Sequence, residues 1–330
     1  MRPSIGNPES APHLRPSILD TLVFQLLIST CRWQTRFGVR QWWNRANAAF
    51  VKRRRTVSVT IHGRKVWAAF GNPYPITTRL YPTYNGPLLE LVHEVYLSKQ
   101  RPIRLVDVGA SIGDTVLFVN SNCPCMISEF VCVDGDPGFF DYLNHNLAFL
   151  PNVRPILAQL SRSAGFNSSL VRINPGAASA VGTTKVKTAP LDEMLSSHSV
   201  GPIDVLKIDV DGFDGEVLSG AGETLKKDRP CIIFEWHPIW CRNTGNGWHE
   251  AFKSVIAVGY SRFVWFDKFG NFSHFMLHYD FATIEALAQY CLRDLSADWH
   301  YDVIALHDTC SLDLQALGML RFSRNRTSGW

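Results

Sequence analysis

From Arg104 onward, short apolar runs alternate with stretches of helical spacing, and this alternation limits the fold more than any other feature of the chain. "RLVDVGA", "SEFVCVDGD", "VRPILAQL", "DVLKIDVDG" and "PCIIFEWHP" read as five strands. "DTVLFVNSN", "PGFFDYLNHNLAFL", "PLDEMLSS" and "GEVLSGAGETLKK" read as the helices between them, and "GWHEAFKSVIAVG" as a further helix after the fifth strand. Strands buried on both faces lose polar alternation, and parallel strands need crossover helices. The pattern therefore predicts an α/β fold with a doubly wound, mostly parallel sheet. "YSRFVWFDKFGNFSHFML" reads as a hairpin around Lys268-Phe269-Gly270, and "HYDVIALH" as a final strand. These add antiparallel strands at one edge of the sheet.

The first 95 residues have a different character. They are expected to form an N-terminal extension, 1–95, ahead of the main domain, 96–330. Its longest apolar run, Ile18 to Cys31, contains Asp20 and falls short of the roughly 18–20 residues that span a bilayer. No transmembrane helix is expected. Residues 1–56 carry ten Lys/Arg and two Asp/Glu, a balance of +8 within a whole-chain charge of +4. "CRWQTRFGVRQWWNRANAAFVKRRR" interleaves Arg with Trp33, Phe37, Trp42, Trp43 and Phe50. Such a stretch suits either a helix docked on the main domain or peripheral contact with an anionic membrane surface. "TVSVTIHGRKVWAAF" reads as a β-hairpin around His62-Gly63, "GNPYPITTRLYPTYNG" as a loop, and "PLLELVHEVYLS" as the last helix before the sheet. The Pro/Ser-rich start and "SRNRTSGW" at the end are expected to be loose. The eight cysteines match no metal framework, since Cys123 and Cys125 have no second pair. Cys132 and Cys231 read as buried thiols, in keeping with a reducing, cytoplasmic setting and an absent signal-peptide pattern.

In a doubly wound sheet the ligand lies beyond the carboxyl ends of the strands. Asp107, Asp134, Asp209 and Glu235 all fall at or near such ends. Four acids make a poor phosphate site, so nucleic acid is not an expected partner. The first turn runs Gly109-Ala110-Ser111-Ile112-Gly113. It lacks the middle glycine of a dinucleotide fingerprint and the Gly-Lys-Ser/Thr of a Walker loop. Asp134, about twenty residues further on, is placed to accept ribose hydroxyls. Asp136 is the better cap for the helix starting at Pro137. An adenosine ligand with a cationic tail fits this rim, and S-adenosyl-L-methionine is one. The expected cofactor residues are Asp107, Gly109, Ala110, Gly113, Asp134, Gln159 and Asp209, with Asp107 orienting the loop and Gln159 bordering the adenine.

"VDVGASIGDTVLF" resembles the first motif of Rossmann-like S-adenosylmethionine methyltransferases, and "VCVDGDPGFFDYLNHNL" resembles their second strand and helix. "VLKIDVDGFDGEVLSGA" followed by "PCIIFEWHP" resembles the FkbM family, whose pattern there is close to K-I-D-V-E-G-x-E-x-x-V-L-x-G-A. The resemblance runs from about Leu105 to Pro238. It departs at Asp211 and Asp214, where the family usually has Glu, and at Asp134-Gly135, where the family has Glu-Pro. It implies methyl transfer to hydroxyls of sugars, glycans, polyketides or related natural products.

A sugar hydroxyl is a weak nucleophile, so a base or a metal ion should assist. Asp209 and Asp211 after the fourth strand, with Glu235 and His237 at the end of the fifth, are the expected catalytic residues. Alternation along an extended backbone would put each pair on one side. Mg²⁺ held through their oxygens is a candidate, as the resemblance to metal-using O-methyltransferases permits. Asp211 as a helix cap and His237 packed under a loop are the structural readings. Trp236, Trp240 and Trp248 suit either a sugar-stacking face or the core. The competing functions are a dinucleotide-dependent oxidoreductase, which the missing glycine disfavours, and a non-catalytic adaptor using the basic arm, which leaves the acidic rim unexplained.

Overall fold

The computed structural model describes residues 15–32, 55–180 and 182–322. Most of the basic stretch, and the two ends expected to be loose, lie outside the described residues. The chain opens with α1 (Ile18–Thr30), a hairpin of β1 (Thr56–Ile61) and β2 (Arg64–Ala69), α2 (Tyr74–Leu80) and α3 (Gly86–Lys99). There follow β3 (Ile103–Val108), α4 (Asp114–Asn122), β4 (Ile127–Asp134), α5 (Pro137–Leu147) and β5 (Val153–Leu157). A small excursion holds β6 (Gln159–Leu160), β7 (Gly165–Ser168), β8 (Val171–Asn174), β9 (Ala177–Ser179) and β10 (Lys185–Ala189). Next are α6 (Leu191–Ser197), β11 (Val205–Ile208), α7 (Asp214–Ser219), α8 (Gly222–Asp228), β12 (Cys231–Trp236), α9 (Pro238–Thr244) and α10 (Glu250–Ile256). The last elements are β13 (Tyr260–Asp267), β14 (Phe272–Met276), α11 (Phe281–Arg293), β15 (Tyr301–His307) and α12 (Leu314–Met319).

The main sheet has the order β14-β13-β15-β12-β11-β3-β4-β5. Neighbours from β12 to β5 pair in parallel, while β15 is antiparallel to both β12 and β13. The mostly parallel sheet with added antiparallel strands is therefore as expected. The direction of winding reverses between β3 and β11, which puts the switch point beyond Val108 and Ile208.

Period-two alternation sorts the strand residues onto two cores. Leu105, Phe130, Cys132, Val205 and Ile304 face one, shared with α1, the β1–β2 hairpin, α3, α4 and α5. Val106, Val131, Val133, Leu206 and Val303 face the other, under α6, α7, α8, α10 and α11. Cys132 and Cys231 are buried thiols, as expected. No helix among the described residues is long and apolar enough to cross a membrane.

Three expectations change. The segment read as a loop from Gly71 contains α2. Its prolines sit at the helix start, where no backbone donor is lost, and the Asn72 side chain accepts from the Tyr74 amide at 3.0 Å. The helix expected at "GEVLSGAGETLKK" is two, α7 and α8, separated at Gly220-Ala221. A Cβ at Gly220 would come within 2.4 Å of the Ser161 carbonyl oxygen. Close packing thus fixes the break where propensity alone would run on. "VRPILAQL" divides into β5, in the main sheet, and β6, which pairs with β10 instead.

Candidate active site

The turn after β3 is shaped by its neighbours. Gly109 has φ +84°, and a Cβ there would lie 1.8 Å from the carbonyl oxygen of Asp209. Gly113, at φ +85°, faces Leu147 of α5, 2.8 Å from the built Cβ. Strand and helix packing therefore demand both glycines, and only Gly109 also lines a cleft. Ala110 is buried and donates its amide to the Val133 carbonyl at 3.1 Å, away from the cleft surface.

The cleft, of about 200 Å³, lies over the switch point. Asp134 sits in its wall. One carboxylate oxygen accepts from the Ser111 amide at 2.7 Å and the other from the Asp136 amide at 2.8 Å. Burial raises its pKa to about 7 against those two hydrogen bonds. Asp136 does cap α5, accepting from Gly138 and Phe139 at 2.9 and 2.8 Å. Gln159 donates its Nε2 to the Ser168 carbonyl at 3.1 Å, while its buried Oε1 has no partner. Gln159 lines the cleft, and a buried amide oxygen without a partner is an unmet acceptor. Asp211 also lines the cleft, but not by strand alternation: β11 ends at Ile208 and Asp211 stands at φ +51°. Its carboxylate accepts from the Ala178 amide at 3.3 Å, so it ties β9 to the cleft rather than capping α7. Burial, then Asp209, raises its pKa to about 7.

Beside this cleft opens a smaller one, lined by Asn85, Glu235, His300 and Asp302 among others. Tyr84, Lys207 and Asp209 line both, so the two are adjacent, with these three side chains between them. The junction comes from strand register: Lys207 lies opposite Asp107, and Glu235 opposite Asp302. The Lys207 ammonium is 3.0 Å from Asp107 Oδ1 and 3.4 Å from Asp209 Oδ2. Burial works against that charge, but Asp107, Asp209 and Asp114 outweigh it and hold its pKa above the ordinary lysine value. Asp107 is wholly buried and outside the lining of either cleft, so it acts through Lys207. Burial raises Asp114 and Asp302 to about 7 each. Burial, followed by Asp209 and Asp214, pushes Glu235 well up.

His237 is placed differently from the expectation. Two residues past Glu235 the chain has left β12 and starts α9. His237 Nδ1 accepts weakly from the Trp240 amide at 3.4 Å, and Nε2 meets Asp298 Oδ1 at 3.1 Å. It lines neither cleft. His300 holds the position beside Glu235, with Nε2 3.4 Å from Oε1, and burial lowers its pKa to about 4. Trp236 is core, and neither Trp240 nor Trp248 lines a cleft.

Asp209, Asp211, Glu235 and His237 do not converge into a metal ligand set. Among the described residues the groups whose ligand atoms lie within 4.8 Å are His237, Asp298, His300 and, elsewhere, Glu90, His93, Glu94. The first set is poorly suited to a metal, because a metal on His237 Nε2 would leave an Nδ1–H against the Trp240 N–H. Between Asp107 and Asp209, Lys207 already occupies the cation position.

Residues 107–262 match the model of the methyltransferase FkbM domain. This part of the chain is therefore similar to an FkbM methyltransferase domain. That span holds Gly109, Asp134, Gln159, Lys207, Asp209 and Glu235, whereas Tyr84, His300 and Asp302 lie outside it. The hexuronic acid methyltransferase AglP of Haloferax volcanii is 33% identical over 135 residues, 39% of this chain and 54% of AglP. The chain thus matches about half the length of that curated relative. A solved FkbM methyltransferase from Methylobacillus flagellatus KT aligns with a TM-score of 0.41 at 12% identity, over 62% of this chain and 43% of that one. An O-methyltransferase from Bacillus cereus solved with S-adenosylhomocysteine aligns with a TM-score of 0.37 at 13% identity, over 68% and 82%.

Sequence reasoning missed Lys207, Tyr84, His300 and Asp302. For two of them a signal exists. Lys207 interrupts the apolar run "VLKI" and Asp302 is the second residue of "YDVIALH", and charges inside buried strands are rare unless paired or functional.

Proposed function

We propose that this chain is an S-adenosylmethionine-dependent O-methyltransferase whose acceptor is a hydroxyl of a sugar, glycan or glycosylated small molecule. The observation that carries the reading is the switch-point cleft lined by Gly109, Asp134 and Gln159, with Asp209 lining both it and a smaller, acid-lined cleft beside it. In this reading Asp134 takes the ribose hydroxyls and the free Oε1 of Gln159 takes an adenine N–H. The cofactor, when bound, supplies an electrophilic methyl on a sulfonium. The chain aligns an acceptor with that methyl, the smaller cleft of about 30 Å³ having room for a single hydroxyl of it, and such positioning supplies much of the rate. Asp209, which faces both clefts and is 44% exposed at its side chain, is the group placed to take the hydroxyl proton. Lys207 holds Asp209 in place. Burial pushes the pKa of the neighbouring Glu235 well up and that of Asp302 to about 7, so each can hydrogen-bond an acceptor hydroxyl. The likeness to a hexuronic acid methyltransferase supports a sugar as acceptor.

The test is transfer of labelled methyl from S-adenosylmethionine to a panel of hexuronic acid and neutral hexose glycosides, with and without a chelator. Label on a hydroxyl of any member supports the reading. Stabilisation by NADH but not by S-adenosylhomocysteine would replace it with an oxidoreductase.

A further inference from the structure

The helix α1 is apolar on both of its faces. The inner face is explained: Phe24 and Leu27 are buried in the core, and α1 packs on β1 and α2. Thr21 Oγ1 accepts from the Ser58 amide at 3.0 Å and fixes the helix against the hairpin. The outer face is not explained by folding. Ile18 is 80% exposed, Leu19 65%, Leu22 60% and Leu26 58%. At 100° per residue these four fall within a stripe about 100° wide. Single exposed leucines are ordinary on a soluble surface, but four aligned on thirteen residues of helix are not.

The next part of the chain supplies the matching charge. Residues 32–55 contain eight Lys/Arg and no Asp/Glu, along with Trp33, Phe37, Trp42, Trp43 and Phe50. Apolar side chains on an in-plane helix, followed by cations and indole rings, are what an anionic lipid surface recognises. Thirteen residues of helix are about 20 Å long, too short to cross the hydrocarbon layer.

We infer that α1 docks this protein on the surface of an anionic phospholipid bilayer, with Ile18, Leu19, Leu22 and Leu26 inserted. The inference does not rest on methyl transfer. It also orients the enzyme, since α1 packs on α2, whose Tyr74 and Thr77 line the first cleft.

The test is flotation of the full chain with vesicles of phosphatidylcholine alone and of phosphatidylcholine mixed with phosphatidylserine, at low and high salt. The expected result is flotation with the anionic vesicles, weakened but not erased by salt. In the double variant Leu22→Glu, Leu26→Glu partitioning should fall about tenfold or more. A Leu22→Ser, Leu26→Ser variant should show an intermediate loss. Both substitutions lie on the exposed stripe, and thermal melts should match the wild type. No flotation of the wild type, or flotation unchanged in the Glu variant, overturns the inference. So does light scattering that shows a wild-type dimer and a monomeric Glu variant, which would make a second copy of the chain the occupant.

Discussion

The floor of the site and its walls come from different parts of the chain. Gly109, Asp134, Gln159, Lys207, Asp209 and Glu235 all lie within the span that matches the FkbM model. Tyr74, Thr77 and Tyr84 come from before it, and His300 and Asp302 from after it. The floor is held by close contacts that leave little freedom: a glycine pressed on a carbonyl, an aspartate bound by two amides, a lysine locked between two carboxylates. The walls rest on side-chain placement by the N-terminal extension and the late strand. A cofactor common to many acceptors needs the first kind of construction. An acceptor particular to one enzyme can be accommodated by the second.

The sharpest way to break this comparison is Gly109→Val. A Cβ 1.8 Å from the Asp209 carbonyl must push β3 and β11 apart at the switch point. Denaturant unfolding should show a loss of about 4 kcal/mol or more, in the range reserved for structural clashes. A fully stable valine variant would show that the floor yields as easily as the walls. Next in size, Asp302→Asn and His300→Gln should slow single-turnover methyl transfer by about 10²-fold, while S-adenosylhomocysteine affinity by calorimetry stays within about twofold. If affinity falls along with rate, walls and floor are not separable. Asp134→Ala is the mirror case. Cofactor affinity should drop about 10- to 100-fold, because hydrogen bonds to a carboxylate disappear, and it should do so whichever acceptor is present.

The smallest effect concerns pH. Asp114, Asp134, Asp211 and Asp302 have folded pKa values near 7, above the unfolded value of 3.8. Below about pH 4 both states hold these protons. Between there and pH 7 the folded state holds more, so stability falls as pH rises through that window. The melting temperature of the cofactor-free protein should therefore decline from pH 5 to pH 8, and Asp302→Asn should flatten the slope. A melting temperature that rises over this interval would place these carboxyls in better-solvated surroundings.

The sheet was legible because its strands carry unbroken apolar runs, and because turn residues mark their ends. The region from Gly165 to Ala189 was not. Its sequence is rich in Gly, Ser, Asn and Thr, and its short strands pair locally without a strong apolar face. α11 does carry a helical signature, with Asp280 accepting from the Ala282 amide at 3.1 Å and Ile284, Ala288 and Cys291 recurring on one face. The plain alternation of strand and helix does not require it. Within the site, residues close to a motif glycine or a strand end could be named, and Asp134, Gln159, Asp209 and Glu235 do line the clefts. His237 could not be placed, because the backbone turns into a helix one residue after β12 ends and period-two reasoning stops there. Tyr84 and His300 reach the site through tertiary folding alone.

One more consequence follows from the position of β15. It is the last strand of the main sheet to leave the ribosome, yet it sits between β12 and β13 rather than at a border. Until Tyr301–His307 has emerged, β12 presents an unpaired apolar edge and the hairpin of β13 and β14 has nothing to join. An unfinished edge of that kind is a template for pairing with other chains. Synthesis of this protein therefore passes through a stage at which nearly the whole chain exists but its sheet is in two pieces. A ribosome stalled before residue 301 should release an aggregating chain, and one stalled shortly after β15 has cleared the exit tunnel should release a chain that folds.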